Sequence, residues 1–251
     1  MSMKKAFIIL AALCLCQALQ AQQLYNMGFD VWSKQGLSWN PFPKGASEEQ
    51  RVWDSVNRGM KVLGINTTTP EYEHVAVPGP DKAAAKIVSR KITWAFAAGS
   101  LFTGHFIRVV NFSGIEMDSG TPFTGRPRSM SGYYHYLPGT INHAKDPYLS
   151  KKGQTDIGQI EVALYDWPNG LRFVTNDGHY DPESDPHLIG RGVLILTKAT
   201  DGYVHFEIPI EYRRDATPTY VGINVLSSAL GEYFTGSSNS VLYVDEFQFN
   251  Y

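Results

Sequence analysis

Three groupings of side chains in this sequence are equipped for chemistry. The densest is Asp177-Gly-His179-Tyr-Asp181-Pro-Glu183-Ser-Asp185-Pro-His187, where six successive odd positions carry Asp, His, Asp, Glu, Asp and His. A curled loop would converge these groups; oxygen-rich sets suit Ca²⁺, and imidazoles add affinity for Zn²⁺. Asp177, Asp181 and Asp185 are therefore metal candidates, although the Gly and terminal Glu of an EF-hand loop are not at their offsets, and the prolines suit an extended connection equally well. The second grouping follows apparent strands: Tyr133 with His135, Glu161 with Tyr165, His205 with Glu207 and Glu211, and Tyr220 with Asn224. Flat rings cover the C–H face of a pyranose and planar polar groups pair with hydroxyls, so these residues make a sugar-competent surface if their strands are neighbours. The third is a set of tryptophans, Trp32, Trp39, Trp53 and Trp167, beside turn-rich segments. Trp167-Pro168-Asn169-Gly170 reads as a hairpin tip, and Trp39 and Trp167 are the candidates for an exposed ring platform.

Hydrolysis of a glycosidic bond asks for two carboxylates about 5–10 Å apart across a groove, one held protonated by its surroundings. Glu207 and Glu211 lie about 13 Å apart along one apparent strand, at about 3.3 Å per residue, too far unless the side chains lean together. Glu161 with Glu207 or Glu211 across adjacent strands is a better pair, and nothing in the sequence selects it. No Gly-x-Ser-x-Gly elbow is present to support serine catalysis.

The elements that must carry these residues are strands. Val204, Phe206, Ile208, Ile210 and Tyr212 alternate with His205, Glu207, Pro209 and Glu211, the period of a strand with one buried face. Ile160, Val162 and Leu164 alternate in the same way, as do Val221, Ile223 and Val225, and Leu242 and Val244 open a last strand over 241–249. Segments 85–89, 104–110, 129–136 and 192–196 are further strands, and Gly, Pro, Asn and Asp clusters separate them as in a sandwich or barrel. Ser47-Glu48-Glu49-Gln50 is a capping box with Val52 and Val56 at helical spacing, so a short helix limited by Gly59 and Gly64 is expected. Phe102-Thr103-Gly104, Phe123-Thr124-Gly125 and Phe234-Thr235-Gly236 recur at irregular intervals; each Phe is expected to anchor a loop in the core, and each Gly to turn the chain at positive φ.

Lys4 and Lys5 precede an uncharged apolar run over 6–15 that is too short to span a bilayer, and small and polar residues follow to Gln23. This order is that of a secretory signal peptide, 1–21, cut after Ala21, leaving 22–251 as one exported domain in the periplasm, on the cell surface or secreted. Cys14 and Cys16 both lie in the leader behind Leu13 and Leu15, not behind the small residue a lipid anchor needs, so no anchor is expected. The mature chain then has no disulfide, thiol nucleophile or cysteine zinc site. Losing Lys4 and Lys5 takes Lys and Arg from 22 to 20 against 24 acidic residues, and the formal charge from −2 to −4. Nucleic acid is not an expected partner, because no basic stripe exists to neutralise phosphates, and no later apolar run reaches membrane length. The oligomeric state is left open.

The C-terminal third carries a family resemblance. Phe206-Glu207-Ile208-Pro209-Ile210-Glu211-Tyr212-Arg213, Ser227-Ser228, Gly231-Glu232-Tyr233-Phe234-Thr235-Gly236 and Ser240-Val241-Leu242-Tyr243-Val244-Asp245-Glu246-Phe247 resemble the putative carbohydrate metabolism domain family of exported bacterial proteins. Trp53-Asp54-Ser55, Ala97-Ala98-Gly99-Ser100-Leu101-Phe102, Pro122-Phe123-Thr124-Gly125 and Gly132-Tyr133-Tyr134-His135-Tyr136 agree, so the resemblance covers most of the mature chain. It implies an all-β, two-sheet jelly-roll sandwich similar to carbohydrate-binding modules, and it turns 53–59 into a loop entering the first strands. By analogy with jelly rolls that hold a structural Ca²⁺ between first and last strands, Asp245 or Glu246 is expected to pair with the region around Asp30. The family supplies no catalytic set to place on these residues, and fold alone does not fix function. Three readings follow: a non-catalytic protein that binds an oligosaccharide or polysaccharide, a glycan-active hydrolase or lyase on the same scaffold, and an adhesion or structural domain that binds a partner.

Overall fold

The inward-facing apolar side chains of the two large sheets meet in one core. The computed structural model describes residues 21–91, 96–110, 114–175 and 180–251. In chain order the strands begin with β1 (Ser33–Gln35), β2 (Ser38–Asn40), β3 (Trp53–Asp54), β4 (Thr68–Glu71), β5 (Ala84–Val88) and β6 (Arg90–Lys91). They continue with β7 (Phe96–Ala97), β8 (Ser100–Val110), β9 (Gly114–Ser119), β10 (Thr121–Pro122), β11 (Ser129–Leu137) and β12 (Gly158–Tyr165). The last are β13 (Leu171–Val174), β14 (Leu188–Leu196), β15 (Val204–Pro209), β16 (Glu211–Tyr212), β17 (Tyr220–Leu226) and β18 (Val241–Asn250). The larger sheet runs β13-β9-β8-β17-β12-β14-β16, with β10 on β17 and β3 on β8; the smaller runs β15-β11-β18-β5-β4. Together they form an all-β, two-sheet jelly-roll sandwich.

The core takes Ile160, Val162, Leu164, Val221, Ile223 and Val225 from the larger sheet and Met130, Tyr136, Phe206, Ile208, Leu242 and Val244 from the smaller. Fully burying one such aliphatic side chain stabilises the fold by about 1.5–3 kcal/mol relative to leaving it in water. Phe29 and Phe247 meet edge-on at 5.1 Å, and Trp53 packs edge-on against Phe29 at 5.0 Å. Trp53 is thus a core residue, and its indole Nε1 donates to the Tyr25 carbonyl at 3.0 Å.

Three local expectations are corrected. The alternating run 204–212 is not one strand: β15 lies in the smaller sheet, while β16 pairs with β14 in the larger, Glu211 opposite Arg191. Pro209 has no N–H with which to continue the ladder, and buried Ile210 sits at the crossing. The short helix is replaced by two 3-10 segments, Glu48–Gln50 and Val56–Leu63. They stay apart because Trp53 and Asp54 pair with Thr103 and Phe102 on β8. Of the Phe-Thr-Gly glycines only Gly104 has a positive φ, +124°, where a Cβ would lie 2.1 Å from the Asp118 carbonyl oxygen. Phe123 does enter the core, but Phe102 and Phe234 line a groove outside it.

Asp156, at 1% exposure, ties the loops at one end of the sandwich together. Its Oδ2 accepts from Ser228 Oγ at 2.6 Å, Ser237 N at 2.8 Å and Ser240 Oγ at 2.8 Å. Ser228 Oγ also meets Ser89 Oγ at 3.0 Å, and Ser89 Oγ accepts from Gly99 N at 3.0 Å. The network therefore joins the entry to β12, the turn after β17 and the segment before β8. Asp156→Ala leaves two hydroxyls and two amide N–H groups, those of Ser237 and Ile157, without this acceptor. An unfolding free energy lowered by about 3 kcal/mol or more is expected in urea titrations; a loss under about 1 kcal/mol would show that the network is dispensable.

Candidate functional site

The outward face of the larger sheet carries a groove of about 580 Å³. Strand register builds its floor: Glu161 lies opposite Asn224, and Asn224 opposite Phe102, so a carboxylate, an amide and a phenyl ring form one row across β12, β17 and β8. Gln159 and Leu226 extend the floor. One wall is apolar: Phe102, Phe106 and Met117 pack together, with Ile115 and Phe173 against them. Another comes from the serine-tied segments, which bring Phe96, Tyr233 and Phe234 to the rim. Phe234 is held at φ +51°, a conformation uncommon for a non-glycine residue, and its carbonyl lies 2.6 Å from His143 Nδ1. A third wall is Tyr180-Asp181-Pro182.

Glu161 is the polar centre and is 5% exposed. Its Oε1 accepts from Arg191 Nε at 2.6 Å and its Oε2 from Gln159 Nε2 at 2.8 Å. Arg191 Nη1 also donates to Glu183 Oε1 at 2.7 Å, and Arg213 pairs with Glu183 in turn. At the end of the groove Tyr165 and Trp167 stack at 3.8 Å with planes 12° apart. Asp185 Oδ2 accepts from Trp167 Nε1 at 2.9 Å and from Tyr180 OH at 2.6 Å. Burial pushes the Asp185 carboxyl up, but the hydrogen bonds from Tyr180, the His187 amide and Trp167 outweigh it and hold it below the usual range. Burial raises the Tyr165 and Tyr180 phenols, so both stay neutral.

The sugar candidates divide between two opposite faces of the sandwich and do not share one surface. Glu161 and Asn224 meet in the groove, and Tyr220 lies half-buried beside it, 6.0 Å from Trp167. Tyr165 and Trp167 are buried, so Trp167 is no exposed hairpin platform: the Asp185 carboxylate draws its indole onto the sheet. Tyr133, His135, His205 and Glu207 are on the outer face of the smaller sheet. There Tyr133 meets His205 edge-on at 5.2 Å, and His135 stacks on Tyr243 at 5.6 Å. Glu207 accepts from Ser129 Oγ at 2.5 Å. Glu161 is therefore separated from Glu207 by the whole sandwich, while β14 alone lies between Glu161 and Glu211 in the larger sheet. Trp39 is half-buried on the β1–β2 hairpin under Lys34, whose Nζ is 5.3 Å from the ring. The groove residues missed in the sequence are Phe102, Phe173, Arg191, Tyr233 and Phe234; the Phe-Thr-Gly recurrence marked two of them.

Among the metal candidates, Asp177 lies outside the described residues. Asp181 accepts from Glu183 N at 3.0 Å and Asp185 from His187 N at 2.7 Å, so both are used in local turns. Glu246 and Asp30 do meet, and the Lys82 ammonium sits between them at 2.6 and 2.9 Å. Hydrogen bonds to Glu246 and then Asp30 hold that ammonium protonated well above the ordinary lysine range. Among the described residues, no group of three or more His, Cys, Asp or Glu forms a metal-ligand cluster, and no helix is long and apolar enough to cross a membrane.

A family described as "Putative carbohydrate metabolism domain" matches residues 28–250. Two solved structures share the fold. One, from Bacteroides thetaiotaomicron and described as a "putative glycoside hydrolase", has TM-score 0.67 and 20% identity, covering 92% of this chain and 72% of its own. Another of the same description, from Bacteroides vulgatus, has TM-score 0.63 and 17% identity, covering 88% of this chain and 94% of its own. None of the curated proteins matches the chain.

Asp245, beside the Lys82 site, titrates against the fold. Burial pushes its carboxyl up to about 6 from 3.8, although the Ala76 amide donates to it at 2.7 Å. The folded state binds the proton more tightly than the unfolded chain, so the stability contributed by the protonated form is complete below about 4 and lost as pH rises through about 6. Asp245→Asn removes this titration. Its unfolding free energy relative to the parent is expected to improve by about 1–3 kcal/mol between pH 4 and pH 8, read from denaturation curves at both. A difference that does not change with pH would show that burial does not perturb Asp245.

Proposed function

The chain belongs to the putative carbohydrate metabolism domain family, and we propose that it is an exported protein that binds an oligosaccharide or polysaccharide in the groove of its larger sheet, without cleaving it. The observation that carries this reading is the floor row of Phe102, Asn224 and Glu161 between walls that carry the half-exposed rings of Phe173, Tyr180, Tyr233 and Phe234. An apolar cleft with a few fixed polar groups is the usual form of a small-molecule site, and rings beside an amide and a carboxylate match the two faces of a sugar. The groove is favoured over the opposite sheet face because it is concave and lined by rings and polar groups together.

Catalysis is the second reading. Three carboxylates, Glu161, Asp181 and Glu232, line the groove, and the two fold relatives are described as putative glycoside hydrolases. Against it stands the engagement of Glu161: Arg191 and Gln159 occupy both oxygens, and delivering a proton to a leaving group would break one of those contacts.

A glycan array followed by calorimetry tests the proposal. Asn224→Ala and Phe173→Ala are each expected to weaken the bound glycan about tenfold, or about 1.4 kcal/mol, while the melting temperature of Asn224→Ala stays near that of the parent. Release of new reducing ends from the bound glycan would replace the binding reading with the hydrolase. Retention of full affinity in both variants would remove the groove as the site.

A further inference from the structure

We infer that the groove selects uncharged or amino-sugar glycans and rejects those bearing uronate or sulfate groups, an inference that rests on the groove being the glycan site. Its charged lining among the described residues consists of Glu161, Asp181, Glu232 and Arg191. The single guanidinium is already committed: Nε goes to Glu161 at 2.6 Å and Nη1 to Glu183 at 2.7 Å.

Recognition of a carboxylate or sulfate normally uses a free guanidinium fork or an ammonium group. Here the fork faces two protein carboxylates, and a third anion would enter a low-dielectric cleft beside Glu161 with no unspent positive partner at the floor. Among the described residues, three cations next to lining residues also have partners. Arg172 makes a two-pronged pair with Asp118 at 2.6 and 2.8 Å. Arg58 approaches Asp54 at 3.4 Å. Lys145 lies over the Phe234 ring, 4.5 Å from its centroid. A neutral hydroxyl avoids the electrostatic penalty and can donate to Asp181 or to the Asn224 side-chain oxygen; a sugar ammonium gains from the same carboxylates.

The test measures the affinity of the purified chain for three sets of oligosaccharides of matched length: neutral hexose, glucosamine-type and uronic acid. Measurements run at low and high salt, with Glu161→Gln and Asp181→Asn alongside the parent. Uronic acid oligomers are expected to bind at least about tenfold more weakly than neutral ones at low salt, a gap of about 1.4 kcal/mol. The gap should narrow in either variant and with added salt, since screening weakens repulsion at the open rim. If Glu161→Gln does not fold, Asp181→Asn decides alone, because the asparagine oxygen can still accept from the Glu183 amide. Uronic acid oligomers binding the parent as tightly as neutral ones, or a gap that neither variant narrows, would overturn the inference while leaving the glycan site intact. Binding of no saccharide would instead overturn the site, and the inference with it.

Discussion

A carboxylate placed on a sheet face among phenyl rings must be compensated, and the Glu161–Arg191 pair does this for the groove. Glu161 sits on β12, whose other face supplies Ile160, Val162 and Leu164 to the core, so the strand is packed on both sides and the carboxylate cannot swing out to water. Stripping water from an ionised group costs several kcal/mol unless a partner and further hydrogen bonds replace it. Arg191 and Gln159 supply them. Because Arg191 also reaches Glu183, which Arg213 holds in turn, the charge at the floor fixes the loop that carries Tyr180 and Asp181 to the rim. Asp185 secures the same loop from its other end through Trp167 and Tyr180.

The opposite wall depends on a different solution to the same problem. Among the described residues no cation pairs with the buried Asp156 carboxyl, which is satisfied by hydroxyls and amides. Burial raises its carboxyl, and the serine donors pull it back only in part. Short side chains suit this role because serine hydroxyls rotate to fit a single oxygen without filling space. The segments they join, 96–99 and 228–236, present Phe96, Tyr233 and Phe234, and the left-handed backbone at Phe234 persists because its surroundings fix it on both sides.

Period-two alternation made most strands legible, since burying one face dictates it. Sheet membership was not legible, because alternation says which side of a strand is apolar and not which strand lies beside it. For this reason Tyr133 and Glu161 read as members of one surface although they lie on opposite sides of the sandwich. Pro209 was the available sign that the run 204–212 changes sheets. The groove's aromatic wall was hidden for a related reason: Phe102 and Met117 are as buried as core residues, so composition cannot distinguish a second apolar cluster outside the sandwich from the one within it. Asp245, Glu246 and Asp30 were picked out by analogy, yet the group between Glu246 and Asp30 is a lysine 164 residues from one and 52 from the other, which spacing does not reveal.

That lysine follows from a one-residue shift in the last strand. Leu242 and Val244 face the core, and so do Phe247 and Phe249, so the inward parity changes between 244 and 247. The pairing with β11 records the same step: Tyr133 is opposite Asp245 but Ser131 is opposite Gln248, and Glu246 takes φ +49°. Gly132 stands across from the extra residue, where a Cβ would lie 2.6 Å from the Phe247 ring. A bulge of this kind returns Phe247 to Phe29 and Trp53 in the core, and in doing so leaves two successive carboxylates outside it. Asp245 is satisfied by the amides of Ala76 and Glu246, but Glu246 faces Asp30. Like charges at such a distance need a cation, and a covalently attached ammonium supplies one at any free ion concentration, so the bulge that completes the core is also what calls for Lys82.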